Sequence, residues 1–394
     1  MSFLSYSNLH LNKIKWFIFF AVSIPLISIN FMSGPYSSPD TGSYSRLADS
    51  LIEHKFNFFA FFQRESLAVP IYFYTVPITL FAIAKEISAE YWKLIILVLN
   101  TACIPAIILL TSRIVNLTGQ NKYLTAFFPL IFLFSYDYVL WARYILSDTI
   151  YCLSLIWCVY FVISSQDNKG WKNNSIFMIS ILLLFLSRPS SPPSICVLLF
   201  FYFIPSYIAM SRPMIWGLLF SVPIVFIAWA ALLWLYLSST LQIEGLDFIT
   251  AMIKDGVVIH HRPETHIEYK DNYISILQIL LTRFLYFFAP YSNAWSMAHI
   301  GISALFFSII ALPVLISEIC VDNSRVKNHI ALKAKAILIF TILSIAVYHS
   351  MTLIDYDWRY RYPVIALMMA LAAIEISLFL EQKPFSFNKK ARHS

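Results

Sequence analysis

Long apolar runs separated by short polar turns make up most of the chain. Windows of about 17 to 25 apolar residues are long enough to cross a bilayer. They recur near 16–33, 92–112, 122–139, 148–164, 174–188, 192–210, 214–237, 295–317, 334–352 and 362–380. The pattern predicts an all-α polytopic membrane protein with about ten transmembrane helices. Two further runs, 67–84 and 273–290, are apolar but interrupted by Pro or polar residues, and read either as spans or as helices at the interface. After the first run the pattern becomes one-sided. Tyr44, Leu47, Ala48, Leu51 and Ile52 recur at helical spacing, with Ser45, Arg46, Asp49 and Glu53 opposite. That stretch predicts a helix lying flat on the membrane surface.

Charge settles which runs cross. The basic stretches "NLHLNKIKW" and "FNKKARHS" at the two ends both belong in the cytoplasm, which requires an even number of spans. With 67–84 and 273–290 left uncrossed, ten spans satisfy the parity and the basic loops "SRIVNLTGQNK", "QDNKGWKNN", "SRP" and "SRVKNHIALKAK" fall inside. The chain then reads as one membrane domain, 1–394, with a first outer loop at 33–91 carrying juxtamembrane helices. A large outer loop at 238–294 holds the second interrupted run. The first apolar run lacks a small-residue cleavage site and reads as an uncleaved span.

Composition adds exclusions. With 59% hydrophobic and 12% charged residues, no soluble domain of useful size is expected. The net charge of +7 fits cytoplasmic loops and requires no nucleic acid. The five cysteines match no metal or disulfide spacing and read as reduced packing residues. No glycine-rich phosphate loop is present, and only eight Gly occur in all, which disfavours nucleotide-driven transport.

The outer face gathers the ionisable residues. Asp40 follows Pro39 at the start of the one-sided helix and reads either as an N-cap or as a general base, Thr41 being an equally good cap. Tyr44 lies one turn further along. Arg143 and Asp148 bracket a second outer turn, where Ser147 or Asp148 could also cap the next helix. Arg188 stands before Pro189 where a span meets the outer face, a costly place for a charge without a partner or a use. Arg359 and Arg361 flank Tyr360 ahead of Pro363. They suit bidentate phosphate contact, or pairing with Asp355 and Asp357. Arg64 ends the first outer loop and is a further phosphate candidate. In "VVIHHRPETHIEYKD", His260, His261, His266 and Glu264 have no standard metal spacing, while Arg262 and His261 could contact an acceptor. No metal site is assigned, and a divalent cation stays open as a cofactor.

An apolar first span followed by "PDTGSYSRLADSL" resembles the first outer loop of the GT-C superfamily of glycosyltransferases, whose members include protein mannosyltransferases and the lipid A aminoarabinose transferase. "WARYILSDTIY", "LLLFLSRPSSPP" and "DWRYRYPVIALMMALAA" resemble later parts of that family in the same order. The resemblance implies a GT-C-like fold, with 67–84 as a further juxtamembrane helix. It also implies an inverting transferase that moves a sugar from a polyprenyl (undecaprenyl) phosphate donor to a periplasmic glycan or lipid-linked acceptor. Asp40 would be the catalytic base and Asp148 an orienting acid; Arg359, Arg361, Arg188 and Arg64 would hold the donor phosphate. The partners expected are that donor, the acceptor and membrane lipids, in a bacterial inner membrane with the site facing the periplasm. The rival classes are an O-antigen polymerase or ligase, which would depend on arginines without Asp40, and a lipid-linked sugar flippase or transporter. A transporter expects polar groups at mid-bilayer, and the spans here have apolar centres.

Overall fold

The computed structural model describes residues 2–65, 71–118, 121–165, 170–203, 212–238, 270, 272–290, 296–320, 329–351 and 358–382. Among these residues the chain is helical, with no strand and a single isolated bridge between Tyr36 and Tyr144. The α-helices are α1 (Ser2–Met32), α2 (Pro39–Glu53), α3 (Phe58–Arg64), α4 (Thr75–Ile87), α5 (Trp92–Thr118), α6 (Lys122–Phe127), α7 (Tyr136–Leu140) and α8 (Asp148–Ser164). They continue as α9 (Trp171–Phe185), α10 (Ser191–Phe203), α11 (Arg212–Leu237), α12 (Tyr273–Phe287), α13 (Met297–Cys320), α14 (His329–Met351) and α15 (Tyr362–Gln382).

Six of these contain stretches long and apolar enough to cross a membrane: α1, α5, α11, α13, α14 and α15. The chain is therefore a multi-pass membrane protein of the α class. The run expected as one span at 122–139 is broken. A 3-10 turn at Phe128–Phe134 opens on Pro129, and the axis turns by 69° before α7. Pro lacks the N–H that a continuous helix needs, and the tighter turn absorbs the fault. The helices α8, α9, α10 and α12 are apolar but shorter. The interrupted run 67–84 appears as a 3-10 turn, Ile71–Tyr74, leading into α4, whose 13 residues are too few to cross.

Helix α15 is the centre of the bundle and packs against α5, α8, α13 and α14. Of its most apolar window 83% is buried, against 17% for α11 and 22% for α13. Its "ALMMALAAIEIS" sequence explains this. Ala366, Ala370, Ala372 and Ala373 let neighbouring backbones come close, so packing can proceed on every side. The outer helices instead present Phe17, Phe20, Phe220, Ile224, Leu305 and Leu312 to their surroundings, as lipid-facing surfaces do.

The one-sided helix α2 forms as expected, but its apolar face does not rest on lipid. Leu47, Ala48 and Leu51 are buried with Ile78, Phe81 and Ala82 of α4. The opposite face is held by ion pairs: Asp49 with Lys85 at 2.6 Å, Arg46 with Glu65 at 2.8 Å and Glu53 with Arg64 at 3.9 Å. Helices α2, α3 and α4 thus form a small shelf over one end of the bundle.

Candidate functional site

The shelf is fastened to the turn before α8 by backbone and side-chain bonds. Tyr36 N–H donates to the Arg143 carbonyl at 2.9 Å, and Ile145 N–H donates to the Tyr36 carbonyl at 3.0 Å. Asn30, buried at the end of α1, donates from Nδ2 to the carbonyls of Leu26 and Val139 at 2.8 and 2.9 Å, and its Oδ1 accepts from Arg143 N–H at 3.0 Å. Asn100 Nδ2 reaches the Tyr144 carbonyl at 3.0 Å. Replacing Asn30 by Ala leaves several of these buried groups without partners. A loss of about 2–3 kcal/mol is expected, read as a lower unfolding temperature in detergent, with Asn100→Ala smaller.

The cap of α2 is not Asp40. Ser38 occupies the N-cap position, and its backbone N–H donates to Thr41 Oγ1 at 3.0 Å. The Thr41 hydroxyl passes on to the Ile145 carbonyl at 2.9 Å. With capping handled by Ser38 and Thr41, the Asp40 carboxylate projects outward and accepts from Arg359 Nη1 at 2.7 Å. Its side chain is 44% exposed, that of Arg359 only 16%.

Arg359 lies in a 3-10 turn, Trp358–Tyr360, that leads into α15. Its guanidinium carbon stands 5.1 Å from the centre of the Tyr360 ring. Arg188 approaches the same ring at 5.6 Å, coming from the chain just beyond α9. The position of Arg188 follows from its surroundings: Val76 N–H donates to the Leu186 carbonyl at 3.0 Å, which ties the end of α9 to the start of α4. His349, near the end of α14, stacks on Tyr360 at 4.5 Å. Arg188 also makes a very short ion pair with Asp148, the first residue of α8, and both are buried. Burial lowers the Arg188 pKa, and the Asp148 carboxylate more than reverses this, so the guanidinium stays charged.

Tyr44 completes the arrangement. Its hydroxyl is 3.3 Å from Ser147 Oγ, and its ring packs against Tyr74 and Phe81. Burial pushes the Tyr44 pKa up to about 12, and that of Tyr74 well above its ordinary value. Both phenols are therefore neutral at physiological pH and act as hydrogen-bonding groups, not bases. The electrostatic neighbours of Tyr44 include Arg188, Asp148 and Asp40, which places all of these around one spot.

The structure thus brings Asp40, Tyr44, Asp148, Arg188 and Arg359 together from four separate parts of the chain. Three other sequence candidates go elsewhere. Arg361 is buried, donates to the Ala289 carbonyl after α12 and lies over Phe307 at 4.7 Å. Arg64 is 65% exposed and pairs with Glu53. Arg143 turns its guanidinium over the Tyr36 ring at 5.4 Å, beside a group in which Tyr36 and Tyr144 lie 4.6 Å apart and Trp141 stacks on Tyr144 at 4.2 Å. Arg262 and His261, with His260, His266, Glu264, Asp355 and Asp357, lie outside the described residues. From sequence Ser147 read only as a possible helix cap and Tyr360 only as the residue between two arginines, and His349 was not singled out, since a lone Tyr, Ser or His in an apolar chain gives no signal until its neighbours are known.

Among the described residues no group of three or more His, Cys, Asp or Glu side chains could hold a metal ion. No family model matches the chain, and neither curated proteins nor solved structures give a match.

Proposed function

We propose that the chain is an inverting membrane glycosyltransferase that uses a sugar linked through phosphate to a polyprenol, as its resemblance to the GT-C superfamily implies. One observation carries the reading: a half-exposed carboxylate, Asp40, rests 2.7 Å from Arg359, while Arg188 shares the Tyr360 ring with that arginine. A base and two fixed cations within one small region are what this reaction needs.

The donor phosphate would lie against Arg359 and Arg188, displacing Asp40 from Arg359. Freed in this way, the carboxylate takes the proton of an acceptor hydroxyl. The hydroxyl oxygen bonds to the anomeric carbon as the bond from that carbon to the phosphate oxygen breaks, and the polyprenyl phosphate leaves with the electron pair. Cations already in place stabilise the charge growing on the leaving phosphate, so no general acid is required. Attack from the face opposite the phosphate inverts the anomeric carbon. Asp148, buried and bound to Arg188, fixes that cation in position. The exposed ring of Tyr36, backed by Tyr144 and the buried Trp141 and beside Arg143, supplies a flat surface on which an acceptor sugar would stack.

Taking the bent pair and the shorter helices α8, α9 and α10 as spans alongside the six long ones gives the ten expected from charge. The Asp40 end of the bundle would then face the periplasm of a bacterial inner membrane.

The test compares surface glycans by mass in cells with the intact gene, a deletion and Arg359→Ala at equal expression. Loss of one sugar decoration in both altered strains, with the glycan backbone preserved, is the expected result. A deletion that shortens the whole polymer would mean a polymerase instead, and an Arg359→Ala strain like wild type would remove the phosphate site. With purified protein, Arg359→Ala should lower turnover by about 10²–10³-fold. Arg359→Lys keeps the charge but not the planar fork, and about a tenfold loss is expected.

A further inference from the structure

A second polar site lies at the other end of the bundle. A cavity of about 220 Å³ opens between the middle turns of α1 and the later turns of α5, lined by Asn12, Lys15, Trp16, Ser112, Arg113 and Pro129 among others. Lys15 stands about 25 Å along the helix axis from Met32, the end of α1 that leads to the Asp40 region. The cavity is therefore separated from the proposed transfer site by most of a bilayer thickness.

Two cations of like sign face this space within electrostatic range of each other. Among the described residues, neither Lys15 nor Arg113 has an acidic partner. Six other basic side chains, Lys85, Arg46, Arg64, Arg188, Lys335 and Arg359, do each sit on a carboxylate. Two uncompensated cations at the mouth of an apolar cavity repel each other and attract an anion. The neutral lining is suited to the same ligand. Asn12 offers amide N–H groups, Trp16 is half-exposed at the level where indoles meet headgroups, and Phe19 and Leu109 give a fatty floor.

We infer that this cavity binds the phosphate of an anionic amphiphile, held between Lys15 and Arg113 with its acyl chain along Trp16 and Phe19. The charge distribution of the loops places this end in the cytoplasm, where anionic headgroups gather at basic pockets between helices. A free phosphate compound would satisfy the same two cations but would make no use of the apolar floor. The inference does not rest on the transfer reaction, because binding is read without turnover.

The test is thermal unfolding of the full chain in a neutral detergent, titrated separately with phosphatidylglycerol, phosphatidylcholine and inorganic phosphate. Phosphatidylglycerol is expected to raise the unfolding temperature by several degrees, with phosphatidylcholine giving no shift. Each surface cation contributes about fivefold to such attraction, so Lys15→Gln/Arg113→Gln should weaken binding roughly 30-fold. Lys13→Gln, on the same helix but outside the cavity lining, should leave it unchanged. If inorganic phosphate alone gives the shift with the same dependence on both cations, the phosphate site stands and its occupant is soluble. If neither anion shifts unfolding, or the double variant binds phosphatidylglycerol like wild type, the inference is overturned. Arg113 is exposed, so Arg113→Gln carries the test even where the double variant folds poorly. The charge-preserving Lys15→Arg/Arg113→Lys should then bind as wild type does.

Discussion

Asp40→Asn should cost 10²–10⁴-fold in sugar transfer, the range that a positioned general base supplies, and almost nothing in stability. Asn keeps the shape of Asp, the cap of α2 belongs to Ser38 and Thr41, and the carboxylate is 44% exposed. An exposed ion pair of this kind contributes about 0–1 kcal/mol. The separation of the two effects is the useful part. Purified protein in vesicles, supplied with a polyprenyl-phosphate sugar and an acceptor, reads the first; unfolding in detergent reads the second. Asp40→Glu should also lose most activity, because the longer side chain moves the oxygen away from its place beside Arg359. Transfer by Asp40→Asn within threefold of wild type would end the base assignment and leave Asp40 as a partner that steadies Arg359.

The other large effect concerns Asp148 and Arg188, which should behave in the opposite way. Both are buried, so removing either leaves a charge in a poorly solvated place, at a cost of about 3–5 kcal/mol. Asp148→Leu and Arg188→Met singly should each lower the unfolding temperature markedly. Combined, they remove both charges at once, and most of the stability should return, since a buried pair is often replaceable by apolar groups. Transfer should not return, because the second cation at the Tyr360 ring is gone. A double variant that regained both folding and full turnover would make the pair a scaffold element only. One that regained neither would mean that Asp148 and Arg188 have further partners with a larger share of the cost.

Much of this was legible in the sequence, for physical reasons that differ by element. The long apolar runs declare themselves because lipid demands length and an unbroken hydrophobic surface. The helix at Pro39–Glu53 was legible from its one-sided period, yet what covers its apolar face was not. A stripe of Tyr44, Leu47, Ala48 and Leu51 reads the same against lipid as against Phe81 and Ala82 of α4. Asp40, Asp148, Arg188 and Arg359 stand out because charges are rare here, whereas their pairing is set by contacts between distant segments. Arg361 shows the limit. Two positions from Arg359 and identical to it in chemistry, it turns to the Ala289 carbonyl, a partner from a distant segment that the local sequence does not announce. The break near Pro129 was visible as a residue but not as a 69° bend, since Pro is tolerated inside α1, α5, α11 and α13 with the helix continuing.

The central place of α15 has a consequence for how the protein is made. A ribosome that has delivered Asp40 needs roughly 15–60 s more to reach Arg359. During that interval α5 and α8 are already made, with the faces meant for α15 turned toward lipid, which accepts them because acyl chains are as apolar as leucine. Asp148 and Arg188 emerge early and can pair while they wait. Asp40 cannot, because its cation arrives only with the chain that enters the middle of the bundle. Assembly of the candidate site is thereby tied to the closing step of folding, and a nascent chain that stalls before Arg359 carries Asp40 without its cation.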